Sequence, residues 1–268
     1  MKRPKELALL LREAIWPERM ICLCCQEPSG GGELCAACEK KLEALRITGP
    51  ICECCGHPLE AGQCDFCDQT GVAKLRAVWI YEDQSRALVH ALKYHGIAAA
   101  GRMMAAAMAS VAQTLALPPD TVVTWPTMPA RRKLERGIDH SKLLAETVGE
   151  RLGLPVRRLL TRSDRLAKGT QEGKNRTERL QRLRGAFSCE EIVSGTVLLI
   201  DDVVTTSATA MACVQCLLDA GAREVIVLTA GQTQQAAKKK GRNDGRDENH
   251  EGHGAAAGGG VHDGARLW

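Results

Sequence analysis

Val197–Thr209 reads VLLIDDVVTTSAT, and the fold turns on this stretch. With Gly195 and Thr196 before it, the apolar run Gly195–Ile200 (GTVLLI) has the pattern of a strand buried on both faces of a parallel sheet. Two adjacent carboxylates, Asp201 and Asp202, close the run. Val203 and Val204 follow, then five small residues, Thr205, Thr206, Ser207, Ala208 and Thr209, that open a helix. Open α/β sheets bind ligands at the carboxyl ends of their strands. A helix start rich in small hydroxyl residues supplies N–H and O–H donors, and its dipole favours an anion. Two acids beside such a loop would repel a bare phosphate. They make sense holding sugar hydroxyls, or a Mg2+ that accompanies the ligand. The stretch therefore reads as a ribose-phosphate site. The plainer alternative has Asp201 capping a loop and the Thr/Ser run capping the helix. Neither GxxxxGK[ST] nor a strand followed by GxGxxG occurs, so a Walker loop and a dinucleotide fingerprint are excluded.

Outward from this stretch, strands and helices alternate. Ala77–Glu82, Thr121–Trp125 and Glu224–Thr229 read as further strands. Gln84–Tyr94, Ala98–Leu117 and Ala208–Ala220 read as helices, the last stopped by Gly221. Ser141–Leu152 places Leu143, Leu144, Val148 and Leu152 on one helical side. The alternation predicts an α/β domain built on a parallel sheet flanked by helices.

Ten of the 13 cysteines precede residue 72. Eight form four CxxC pairs: Cys22/Cys25, Cys35/Cys38, Cys52/Cys55 and Cys64/Cys67. A CxxC turn aims two thiolates at one point, and two turns complete a tetrahedron around zinc. Cys24 lies between ligands and is read as spare, and Gly56 eases the turn after Cys55. Two filled tetrahedra leave no open position, which makes both zinc ions structural. Sequential pairing (22/25/35/38, then 52/55/64/67) is expected. The spacing also admits a cross-braced arrangement, and disulfides are the competing chemistry. So short a segment with few large apolar groups needs the metal to offset its ordering entropy.

Composition narrows the rest. The 44% apolar and 25% charged content marks a globular chain and excludes collagen-like, coiled-coil and disordered classes. At 3% aromatic residues, a surface of stacked rings is excluded. The apolar run Leu7–Leu11 is cut by Arg12 and Glu13, too soon for a secretory signal, and no stretch has the length of a membrane span. A cytoplasmic protein is expected, whose thiols stay reduced for metal. Residues 131–184 carry 16 Lys and Arg against 7 Asp and Glu, a net of +9 in a chain whose formal net charge is +4. That basicity suits neutralisation of a diphosphate. A track for single-stranded nucleic acid and solvated helix faces are the other readings. Tyr94 and Trp125 are read as packing groups; His95 and His140 are read as ordinary surface or packing histidines, with an acid–base role as the alternative for each. The composition changes again at Gly231. Three regions result: 1–71 with an N-terminal helix and the double ribbon, 72–230 as the α/β domain, and 231–268 as a disordered low-complexity tail.

Val197–Thr209 resembles the 5-phosphoribosyl-1-diphosphate (PRPP) signature of type I phosphoribosyltransferases. Together with the cysteine-rich start, it resembles the ComF family, in which a double zinc ribbon precedes such a domain. Leu92–Gly96, Arg131–Gly137, Gln171, Glu178–Leu180 and Arg184–Phe187 match as well, and the likeness runs from about Ile15 to Thr229. The resemblance implies that Asp201 and Asp202 hold the ribose hydroxyls and Mg2+, and that Thr205, Thr206, Ser207, Ala208 and Thr209 wrap the 5-phosphate. Pro126–Arg131 would form the diphosphate loop, with Arg131 and Arg136 as its basic groups. The family carries Gly where this chain has Ser207. The implied activity is phosphoribosyl transfer from Mg–PRPP, in DNA uptake or nucleotide-related metabolism. The alternative is a non-catalytic PRPP-sensing adaptor that binds single-stranded DNA and a competence helicase. Such enzymes cover the sugar with a hood that reads the acceptor. Here the ribbons and Ala77–Gly96 are its possible sources, and the ribbons are expected to pack over the site.

Overall fold

The computed structural model describes residues 21–59, 62–64, 67, 73–129, 137–162, 186–205 and 208–234. Its centre is a four-stranded, wholly parallel sheet in the order β1 (Lys74–Ile80), β6 (Glu224–Gln232), β5 (Thr196–Val204), β2 (Val122–Thr124). Alternation along β5 divides the core. Leu198 and Ile200 face α2 (Asp83–His95), α3 (Ala98–Gln113) and α4 (His140–Leu152), packing with Leu88, Leu92, Met104, Met108, Leu144 and Val148. Val197 and Leu199 face α5 (Ala208–Asp219), packing with Met211, Val214 and Leu217. Two short strands, β3 (Thr161–Arg162) and β4 (Phe187–Ser188), pair antiparallel apart from the main sheet.

Local signals set the helix limits. Glu82 and Ser85 form a reciprocal capping box at the start of α2, and Gly96 ends that helix in the left-handed region at φ 64°. The Asp139 side chain accepts from the Lys142 N–H at 3.1 Å and starts α4, one residue earlier than the periodicity predicts. Two strands outrun their expected ends. β5 continues past Ile200 to Val204 because Asp201, Val203 and Val204 keep register with Thr229, Gly231 and Gln232 of β6. β6 therefore crosses the change of composition at Gly231 and reaches Gln232.

The ribbons clasp β1. The segment before α1 (Ala36–Ala44) and α1 itself lie on one side of the sheet, where Leu42, Leu23, Leu34 and Leu45 join the core of α2–α4. The second ribbon lies on the other side, where Cys52, Cys54, Cys55 and Cys64 join the α5 core around Leu75. Residues 45–47 run along the outer edge of β1. The Ile47 N–H donates to the Val78 carbonyl at 2.9 Å and the Ile80 N–H to that of Leu45 at 2.8 Å. The Leu75 N–H donates to the Cys54 carbonyl at 2.8 Å. These bonds occupy an edge that would otherwise template aggregation. Gly56, at φ +69°, sits where a Cβ would run into the Leu75 carbonyl, so the turn after Cys55 needs glycine for both conformation and space.

Candidate functional site

Each ribbon gathers its own four thiolates. The Sγ atoms of Cys22, Cys25, Cys35 and Cys38 lie within 4.8 Å of one another, and so do those of Cys52, Cys55, Cys64 and Cys67. Sequential pairing is thus the arrangement observed, and no cross-bracing occurs. The sulfur separations identify the ligand. Cys25–Cys35 is 3.8 Å, Cys52–Cys67 and Cys64–Cys67 are 3.7 Å, and Cys55–Cys64 is 3.5 Å. A tetrahedron with Zn–S bonds of about 2.3 Å has edges of about 3.8 Å, whereas a disulfide requires about 2.05 Å. These are zinc-binding geometries, closed on all four corners. Cys24, outside the tetrahedron, donates towards the Gln84 carbonyl at 3.6 Å, and burial pushes its thiol up to about 12. It is a spare cysteine that stays protonated.

The second site is an open cavity of about 240 Å3 at the carboxyl edge of the sheet. Pro126–Pro129, leaving β2, form one wall. Asp201–Thr205 form the floor, and the first residues of α5, Ala208–Ala210, form the opposite wall. Lys93 from α2, His140 and Ser141 from α4, and Arg162 complete the lining. Asp201, Asp202, Thr205, Ala208 and Thr209 thus all line this cavity. Thr206, Ser207, Arg131, Arg136, Gln171, 178–180 and 184–185 lie outside the described residues.

The acidic pair is tightly held. Asp202 is 4% exposed, and its Oδ1 accepts from Lys93 Nζ at 2.7 Å while its Oδ2 lies 3.3 Å from His140 Nε2. Asp201 Oδ1 accepts from Ser141 Oγ at 3.0 Å and from the Asp202 N–H at 2.9 Å. Asp201 touches the cavity but has protein on its other sides. That burial, with the neighbouring Asp202 charge, pushes its carboxyl from 3.8 up to about 7, against the pull of the Asp202 N–H, Lys93 and Ser141.

A pH dependence follows. The folded chain retains a proton on Asp201 that the unfolded chain releases, so this group's contribution to stability is full below 3.8 and declines as pH rises to about 7. Asp201→Asn removes the cost of ionisation. Its melting temperature relative to wild type should climb between pH 4 and 7 and stay level above. A difference that ignores pH over that range would contradict the assignment.

Several expectations need correction. His140 is buried, as a packing histidine would be, but as the first residue of α4 it also places Nε2 3.3 Å from Asp202 Oδ2. Tyr94 is not a buried packing group, being 63% exposed; the His90 ring meets it edge-on at 5.1 Å. Trp125 does pack, at 6% exposure, and His95 is exposed. Among the described residues the expected ribbon cover over the cavity is not found: none of the lining comes from the ribbons, and only Lys93 comes from the stretch Ala77–Gly96. Sequence reasoning missed Ser141 and Arg162 altogether. The signal for Ser141 was available, because Asp139 caps a helix whose first residues must then lie at the sheet's carboxyl edge.

A double zinc ribbon clasping the edge of a parallel α/β sheet, with an acidic pair ahead of a small-residue helix start, defines a class of ribbon-linked α/β proteins. The comparisons narrow it. The family model for the double zinc ribbon domain matches residues 11–70. The DNA utilization protein YhgH of Salmonella typhi is 32% identical over 222 residues, covering 77% of this chain and 94% of that protein. The competence protein ComFC of Bacillus subtilis (strain 168) is 27% identical over 199 residues, covering 70% of this chain and 79% of that protein. The chain belongs to the ComF family. Among solved structures, the glutamine PRPP amidotransferase of B. subtilis is 24% identical with a TM-score of 0.34, covering 48% of this chain and 26% of that one. Among the described residues no helix is long and apolar enough to cross a membrane.

Proposed function

We propose that the cavity binds Mg–PRPP and that the protein is a ComF-type phosphoribosyltransferase acting in DNA uptake or use. The observation that carries this reading is the acidic pair Asp201–Asp202 on the cavity floor, between the start of α5 and the wall Pro126–Pro129. Asp201 and Asp202 would hold the ribose hydroxyls and Mg2+. Thr205, Ala208 and Thr209, with Thr206 and Ser207, would receive the 5-phosphate at the helix N-terminus. Arg131 and Arg136 would meet the diphosphate. Mg2+, when bound, would supply charge neutralisation to that leaving group. Lys93 offsets the Asp202 charge beside Asp201, and Lys93 and His140 together hold that carboxylate in one orientation.

In the transfer, a nitrogen nucleophile forms a bond to the anomeric carbon. The bond from that carbon to the diphosphate oxygen breaks, and diphosphate leaves with the electron pair. The nucleophile's proton passes to solvent. The names of the relatives, a competence protein and a DNA utilization protein, support the biological setting. A role in the cytoplasm and the division at residues 71 and 230 belong to the same reading.

The test is diphosphate release from Mg–PRPP, with ammonia and each nucleobase offered as acceptor. Acceptor-dependent release that disappears in Asp202→Asn is expected. PRPP binding without release from any acceptor would replace the enzyme by the adaptor that senses PRPP and works through single-stranded DNA and a helicase partner.

A further inference from the structure

Among the described residues the second ribbon does not line the cavity, yet a continuous set of hydrogen bonds runs from one of its zinc ligands to Val204 and Thr205 on the cavity floor. Gln232, the last residue of β6, is 2% exposed, and His57, two residues beyond Cys55, is 6% exposed. Gln232 Nε2 donates one hydrogen to the Cys55 carbonyl at 2.8 Å and the other to His57 Nδ1 at 2.7 Å. With Nδ1 accepting, the proton of the neutral ring is on Nε2, which donates to the Thr233 carbonyl at 3.3 Å. Thr233 then grips the far end of β5. Its N–H donates to the Val204 carbonyl at 3.1 Å and its hydroxyl to that of Thr205 at 3.2 Å. Val204 and Thr205 both line the cavity. The bonds from Gln232 and His57 span some 175 residues of sequence and tie the second ribbon to the end of β6.

Rigid support behind a binding loop matters because displacements well below an ångström change phosphate contacts, and side chains one layer removed hold that geometry. The ribbon end of this relay is coupled to the metal site, because Cys55 supplies both a ligand and the carbonyl that Gln232 grips.

We propose that His57, Gln232 and Thr233 are positioning residues through which zinc in the second ribbon sets the conformation of the phosphate loop, and so the affinity for a phosphorylated sugar. The ligand half of this statement rests on the function proposed above. The loop half does not.

The experiment uses the full chain and reads amide hydrogen exchange over residues 203–210, zinc content, and calorimetric affinity for Mg–PRPP. Gln232→Leu and Thr233→Val should each keep two zinc ions and leave exchange in α3 unchanged. Exchange over 203–210 should quicken about 3- to 10-fold, the worth of one or two hydrogen bonds, and PRPP affinity should fall by a similar factor. Thr233→Ser, which keeps the hydroxyl, should behave as wild type. Cys67→Ser, which opens the second tetrahedron, should quicken the same segment. Unchanged exchange over 203–210 in Gln232→Leu, Thr233→Val and Cys67→Ser would overturn the relay, whether or not PRPP binds. If exchange responds as stated and wild type binds no PRPP, the relay stands and the ligand assignment falls.

Discussion

Replacing Asp201 and Asp202 together by asparagine should abolish Mg2+-dependent PRPP binding and leave the fold intact. The two carboxylates are the only acidic groups among the described residues that line the cavity. Each charge-assisted interaction to the ligand or its metal contributes about 1.5–3 kcal/mol, so losing both should weaken binding at least ~100-fold. The amides keep the shape of the floor and can still accept from Ser141 and the backbone. They also remove the cost of burying an ionised Asp201, and with it the repulsion from Asp202. Titration calorimetry reads the first part and thermal melting the second. Affinity within a factor of three of wild type in the folded double variant would refute the assignment.

The second large effect concerns Cys52→Ser. Cys52 is 3% exposed, belongs to a closed tetrahedron, and packs in the same core as Leu75 and Val227. Zinc bound to such peptides contributes on the order of 10–16 kcal/mol, and even part of that loss should lower the melting temperature by at least ~10 °C. Metal analysis should fall from two zinc ions per chain to one. Cys24→Ser is the internal comparison, since that thiol lies outside the tetrahedron and should leave both ions in place. Two zinc ions retained in Cys52→Ser would contradict the ligand set.

The parts of this fold that follow from local chemistry were readable in the sequence. Four CxxC pairs can hardly do anything in a reducing setting except close on metal, and the separations near 3.7 Å agree. The β5 run and its two carboxylates likewise carry their own address, since a strand buried on both faces must end at a sheet edge. Strand limits were less readable. Nothing in Val203 or Val204 shows that β5 continues beyond Asp202; the pairing with Gly231 and Gln232 decides it, and those residues lie some 28 positions away. The hold of Lys93 and His140 on Asp202 was hidden for the same reason. Each is unremarkable in its own helix, and only the packing of α2 and α4 on one side of the sheet brings both to one carboxylate. The clasp of the ribbons around β1, one on each side, depends on backbone bonds such as Ile47 to Val78 that no side-chain pattern announces.

The most direct test of the central claim is calorimetric titration of the full, zinc-loaded chain with PRPP, with Mg2+ present and in magnesium-free buffer. A chelator is unsuitable, because it would strip the ribbons. One PRPP bound per chain, with a Kd in the micromolar range (roughly −8 kcal/mol) that weakens at least tenfold without Mg2+, is the predicted result. Absence of binding, or binding indifferent to Mg2+, would contradict it.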